Sequence, residues 1–130
     1  MTNPSELKNI LYVDDDPDLQ KIVQLSLQAK GEFTVQVCDS GMEAIAKVKE
    51  SPPDLIILDV IMREMDGPET LLELRKLPEA ADVPIIFMTS RVRPEKVKRY
   101  KEIGAVGVIE KPFQPRKLAD QVRKLWNQVE

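Results

Sequence analysis

Five short apolar runs punctuate the chain, and each is followed by a stretch whose apolar residues recur at helical spacing. Ile10-Leu11-Tyr12-Val13 is the first run, and the acids Asp14-Asp15-Asp16 follow it. Pro17 suits a first helical position, Asp16 can cap it, and Leu19, Ile22, Val23 and Leu27 predict a helix with an inward stripe that ends near Lys30-Gly31. The second run, residues 34–38, turns through Asp39-Ser40-Gly41 into a helix with Ala44, Ile45 and Val48 on one face, stopped by Ser51-Pro52-Pro53. The third, Leu55-Ile56-Ile57-Leu58, is apolar at every position and ends in Asp59. A run without alternation fits a strand covered on both faces, which points to the centre of a parallel sheet.

The alternation continues to the end of the chain. After Gly67-Pro68, Leu71, Leu72 and residues 74–77 predict a helix closed by Pro78. Pro84-Ile85-Ile86-Phe87-Met88-Thr89-Ser90 is a fourth run, ending in hydroxyls, and Pro94 then opens a basic helix with Val97, Tyr100 and Ile103 inward. Gly104-Ala105-Val106-Gly107 leads into the fifth, Val108-Ile109-Glu110, whose carboxyl end carries Lys111-Pro112. Pro115 opens a last helix with Leu118, Val122 and Leu125 at core spacing. Five strand-helix units with right-handed crossovers predict a doubly wound α/β sandwich on a parallel sheet.

Composition narrows what such a sandwich can do. The 130 residues suit one domain, read as residues 1–130 with a core of about 8–127, so one site is expected. A formal net charge of -3 lacks the basic surplus of a duplex reader. The apolar runs fall far short of a membrane span, and Met1-Thr2-Asn3-Pro4-Ser5-Glu6 lacks the basic then apolar pattern of a signal peptide. The chain is therefore read as cytoplasmic, without a membrane or direct nucleic-acid partner. Its single cysteine, Cys38, cannot form an internal disulfide and reads as a small buried or half-buried strand residue. The absence of histidine removes Ser-His triads, imidazole metal ligands and any phosphohistidine of the chain's own.

Parallel strands bring their carboxyl ends to one edge, where open α/β sheets bind ligands. Asp14, Asp15, Asp59, Thr89 and Lys111 are expected to meet there. Each alone has a plain structural reading: Asp59 as a turn former, Asp14 to Asp16 as a cap with exposed neighbours, Thr89 as a strand end, Lys111 as a solvated loop residue. Together they have complementary chemistry. Oxygen ligands without imidazole or thiolate suit a hard divalent cation such as Mg2+, or Mn2+ in its place. A carboxylate oxygen beside such a cation can attack an incoming phosphoryl group, with Lys111 as a second positive charge and Thr89 as a hydroxyl donor.

These residues resemble the receiver domain of two-component response regulators, from about Lys8 to Leu125. The resemblance rests on Ile10-Leu11-Tyr12-Val13-Asp14-Asp15-Asp16-Pro17, Asp54-Leu55-Ile56-Ile57-Leu58-Asp59 with Met65-Asp66-Gly67, Ile85-Ile86-Phe87-Met88-Thr89-Ser90, and Gly104-Ala105 followed by Lys111-Pro112-Phe113. It implies a flavodoxin-like (βα)5 fold of strand order 2-1-3-4-5, with Asp59 as phosphoacceptor. It further implies Asp14 and Asp15 as Mg2+ ligands with Asp59 and the backbone carbonyl of Ile61, and Thr89, Ser90 and Lys111 as phosphate-binding and switch residues. Pro112 would follow a cis peptide bond. A sensor histidine kinase or a His-containing phosphotransfer protein would supply the phosphoryl group. The output partner is left open, and residues 94–103, Val108 and the last helix form its expected face.

The chain departs from the family pattern in three respects, at four positions. Val108 stands where an aromatic usually couples to the switch threonine, and Arg63 replaces a common proline, which would either leave that loop less rigid or add a cation near the site. Ile61 and Arg91 occupy the positions that tune phosphoryl lifetime; an apolar side chain at Ile61 would not position an attacking water, so slow self-dephosphorylation is expected. Two other readings stand beside the switch. A Mg2+-dependent phosphatase would need an acid where Ile61 stands, and a pseudo-receiver would keep the fold but signal without phosphate.

Overall fold

The structure, a computed structural model, describes residues 6–31 and 33–129. Residues 1–5, 32 and 130 of the expected single domain, and with them most of the N-terminal stretch read for a signal peptide, lie outside the described residues. Five strands, β1 (Asn9–Val13), β2 (Thr34–Cys38), β3 (Leu55–Asp59), β4 (Ile85–Thr89) and β5 (Gly107–Glu110), alternate with five helices. These are α1 (Pro17–Gly31), α2 (Gly41–Glu50), α3 (Gly67–Arg75), α4 (Pro94–Glu102) and α5 (Pro115–Trp126). All strand pairs are parallel, in the order β2-β1-β3-β4-β5. This is the order that the resemblance implied.

Register explains the two-sided core. Tyr12 pairs with Ile57 and Ile57 with Ile86, while the alternate set Leu11, Ile56 and Ile85 is likewise in line. The first set faces Val23 and Leu27 of α1 and Leu118, Val122 and Trp126 of α5. The second faces Ala44 and Val48 of α2, Leu71 and Leu74 of α3 and Tyr100 of α4. Every residue of β3 and β4 is buried, as an unbroken apolar run requires. No described helix is long and apolar enough to cross a membrane.

The helix stripes are narrower than the sequence suggests. Ile22 is 42% exposed and Leu72 51% exposed. In α1 the buried line is Val23 and Leu27, flanked by the half-buried Gln20 and Gln24, whose amides donate to the carbonyls of Asp14 and Val35. Binary patterning reads such glutamines as outward, whereas here their polar ends find backbone acceptors at the sheet rim. Helix α3 stops at Arg75 because Pro78 drives the preceding Leu77 into extended backbone, and a short 3-10 turn, Pro78–Ala80, follows. Arg75 turns this end into a clamp, donating to the carbonyls of Ala80 and Val83 at 2.8 and 2.7 Å and of Gly104 at 3.4 Å.

One close approach fixes the loop after β3. Asp66 caps α3 in a reciprocal box with Glu69, and the N–H of Gly67 donates to the carbonyl of Val60 at 2.8 Å. A Cβ on Gly67 would stand 2.6 Å from the carbonyl oxygen of Asp59 and 2.8 Å from the Val60 Cα, both backbone atoms that cannot yield separately. Gly67→Ala is therefore expected to destabilise the protein by ~1–3 kcal/mol, as overpacking does. Urea titration of the two proteins measures it, and an unchanged midpoint would refute the close-approach argument.

Candidate functional site

Asp14 follows the last residue of β1 and is 1% exposed. Its environment leaves it little freedom. The N–H donates to the Cys38 carbonyl at 3.1 Å, and the carbonyl accepts the Gln20 amide at 2.6 Å. Oδ1 accepts the N–H of Asp16 at 3.0 Å, while Oδ2 accepts the Tyr12 hydroxyl and lies 3.5 Å from Lys111 Nζ. Asp16 accepts the N–H groups of Asp18 and Leu19, so it caps α1 as its position before Pro17 suggests.

Asp59 ends β3, buried, with Lys111 Nζ 2.9 Å from its Oδ1. Asp15 is partly exposed and accepts the Arg63 N–H at 3.1 Å. One carboxylate oxygen from each of Asp14, Asp15 and Asp59 lies within 4.8 Å of the other two. Lys111 enters from the end of β5, where its N–H donates to the Thr89 carbonyl at 2.9 Å, and the Lys111–Pro112 peptide bond is cis. Four of the five expected residues thus share direct or near-direct contact.

Thr89 is buried at the end of β4, beside Lys111, but its hydroxyl accepts the Arg91 N–H at 3.1 Å and, among the described residues, no hydrogen bond joins it to the carboxylates. Ser90 is exposed beyond it. The Ile61 side chain is 57% exposed on the loop that brings Arg63 to Asp15. Arg63 does add a cation at the rim: its Nε lies 3.7 Å from Asp15 Oδ2, with the side chain 88% exposed, so the pairing is worth little. Val108 is half-buried, in register with Phe87 and packed on the α2–α3–α4 face.

Charge balance sets the electrostatics. Burial raises the Asp59 carboxyl from its ordinary 3.8 to about 6; the Lys111 hydrogen bond opposes this and the Asp14 charge adds to it. For Lys111, burial pulls downward, yet Asp59 and Asp14 outweigh it and hold the ammonium above its usual range. Burial and the bond to Asp14 push the Tyr12 phenol far above its usual ionisation, so it stays a neutral donor. One half-buried lysine leaves the three acids undercompensated. A donor set of oxygens alone, close together and with negative charge to spare, fits a hard divalent cation.

Tyr12 is the member of the site that sequence reasoning passed over. The signal was present, because the period of two along a strand places residues 12 and 14 on one face. Its apolar neighbours made it read as a core strand former. Gln20 escaped notice for a similar reason, as a polar residue on a helix otherwise judged by its apolar stripe.

The chain matches the response regulator receiver domain family over residues 10–123 and belongs to it. It is 36% identical over 118 residues to a probable transcriptional regulator ycf29 of Porphyra purpurea, covering 90% of this chain and 56% of that protein. It is 35% identical over 121 residues to a CpxR homolog of Haemophilus influenzae, covering 92% and 50%. The chain thus spans about half the length of these curated relatives. Among solved structures, the chemotaxis protein CheY4 of Vibrio cholerae superposes with a TM-score of 0.85 at 33% identity, covering 92% of this chain and 98% of that one. The fold is the flavodoxin-like receiver fold, and receiver domains are signalling modules of two-component systems rather than classical enzymes.

The raised Asp59 value has a measurable consequence. Between pH 4 and 6 the folded protein holds a proton on Asp59 that the unfolded chain has lost, so this group's contribution to stability falls as pH rises through that window and is flat above it. In EDTA at pH 7.5, Asp59→Asn should be more stable than the parent, by about 3 kcal/mol at most, with the difference vanishing below pH 4. Urea midpoints across pH test this; a destabilised variant at pH 7.5 would contradict it.

Proposed function

We propose that this chain is a phosphoaccepting receiver, one domain across residues 1–130 in the cytoplasm, which takes a phosphoryl group on Asp59 from a phosphohistidine. The donor is a sensor histidine kinase or a His-containing phosphotransfer protein. The observation that carries this reading is the placement of the Lys111 ammonium 2.9 Å from the Asp59 carboxylate, with the Asp14 and Asp15 oxygens gathered at the same spot.

The chemistry follows from the groups present. An Asp59 oxygen forms a bond to phosphorus as the phosphorus–nitrogen bond of the donor breaks; the electron pair leaves on the imidazole, which takes a proton from solvent. Asp14, Asp15, Asp59 and the carbonyl of Ile61 would hold Mg2+, or Mn2+, which when bound supplies positive charge to the transferred oxygens. Lys111 keeps its charge at neutral pH and pairs with those oxygens as they arrive. Thr89 and Ser90 stand beyond the carboxylates, so a Thr89 hydroxyl that turns from the Arg91 N–H to a phosphoryl oxygen would carry the change outward. The half-buried Val108 then has less bulk to move than an aromatic would, and residues 94–103, Val108 and α5 form the face offered to an output partner of unassigned identity. The meeting of the acids with Lys111 gives no support to a phosphate-independent pseudo-receiver.

Intact-mass measurement after acetyl phosphate and Mg2+ should show one phosphoryl adduct on the parent and none on Asp59→Asn. No adduct on the parent, or an equal adduct on the variant, would overturn the reading. The exposed apolar Ile61 does not orient water, so the adduct should decay over minutes or longer when followed by the same mass assay; loss within seconds would contradict that role.

A further inference from the structure

Tyr12 lies on the same face of β1 as Asp14, and it is fully buried. Its hydroxyl donates to Asp14 Oδ2 and lies 3.7 Å from the Met88 sulfur on β4. Strand β3 runs between β1 and β4, and Asp59 pairs in register with Met88. The phenol therefore crosses beneath β3 and forms the floor on which the acidic cluster stands. A thioether is a weak acceptor, so the hydrogen of this buried hydroxyl is committed to Asp14.

Asp14 is thereby held at both oxygens: Oδ1 by the N–H of Asp16 and Oδ2 by the phenol, with Lys111 more distant at 3.5 Å. Rotation of the carboxylate breaks one bond or the other. Take the phenol away, and Lys111 becomes the nearest donor for Oδ2. Attraction to the ammonium then favours drawing Asp14 Oδ2 onto the lysine, out of the orientation it shares with Asp15 and Asp59. Hydrogen bonding to a carboxylate also drains some charge from it, which alone would weaken cation binding. Loss of orientation is the larger effect where ligands must be set against their mutual repulsion, as supporting partners of metal ligands show generally.

We propose that Tyr12 is a positioning residue for the divalent-cation site, holding the Asp14 carboxylate toward Asp15 and Asp59 before the cation arrives. This rests on the receiver reading and its Mg2+ site. The full chain is titrated with MgCl2 by isothermal calorimetry at pH 7.5. Tyr12→Phe should bind Mg2+ about tenfold more weakly than the parent, while Met88→Leu, which keeps the Tyr12–Asp14 bond and removes the sulfur, should bind within about twofold of it. Equal affinity in Tyr12→Phe, or an equal loss in Met88→Leu, would overturn the proposal and leave the receiver reading standing. A parent that binds no Mg2+ would overturn the cation site itself and this inference with it. A measurement on the parent alone keeps the question decidable if Tyr12→Phe folds poorly. The buried, hydrogen-bonded Tyr12 hydroxyl proton should shift in the NMR spectrum with the same Mg2+ dependence as the calorimetric titration, and an invariant signal would refute the link.

Discussion

Bringing carboxylates together in a buried place is the constraint on which this structure turns. At the separation of the Asp14 and Asp59 oxygens, repulsion amounts to roughly 3–4 kcal/mol at an effective dielectric of 20. Lys111, 2.9 Å from Asp59, offsets that repulsion but not the third acid or the loss of water. The raised Asp59 carboxyl is the visible residue of this imbalance. Such a cluster persists because other parts of the fold hold it: the rest of the domain is stable enough to carry a strained corner.

Backbone groups share the holding with the side chains of Tyr12 and Gln20. Asp14 is tied through its own N–H and carbonyl to Cys38 and Gln20, and Asp59 sits at the end of a strand buried along its whole length. The loop after β3 is pinned by the contact of Gly67 with Val60 and reaches Asp15 through the N–H of Arg63. Few of these restraints depend on which residue type occupies the loop. Residue type matters at two of them: Gly67 for its close approach, and Arg63 because a proline there would have no N–H to give Asp15.

Much of this was legible in the chain. Asp14, Asp59 and Lys111 could be placed together because parallel strands must share their carboxyl edge, and the unbroken run before Asp59 marks the central strand. What escaped was whatever depends on the third dimension within an element. The exposure of Ile22 and Leu72 follows from how wide the covered stripe of each helix is, which spacing does not state. Tyr12 looked apolar because its ring is; only the reach of its hydroxyl across β3 reveals a polar task. The Thr89 hydroxyl bonds to the Arg91 N–H, a local choice that strand position cannot foretell.

The Arg75 clamp lies at the opposite edge of the sheet from the acids. By holding the carbonyls of Ala80, Val83 and Gly104, it fastens the chain just before β4 and just before β5. These are the two strands whose far ends carry Thr89 and Lys111. A strand moored at its entrance cannot slide, because a slip of one residue would turn its core side chains outward. Displacement that begins at the acidic edge therefore has no axial route through the sheet. The exposed segment 90–93 and the turn at 111–114, which follow the two strands at the acidic edge, lie outside that moored span.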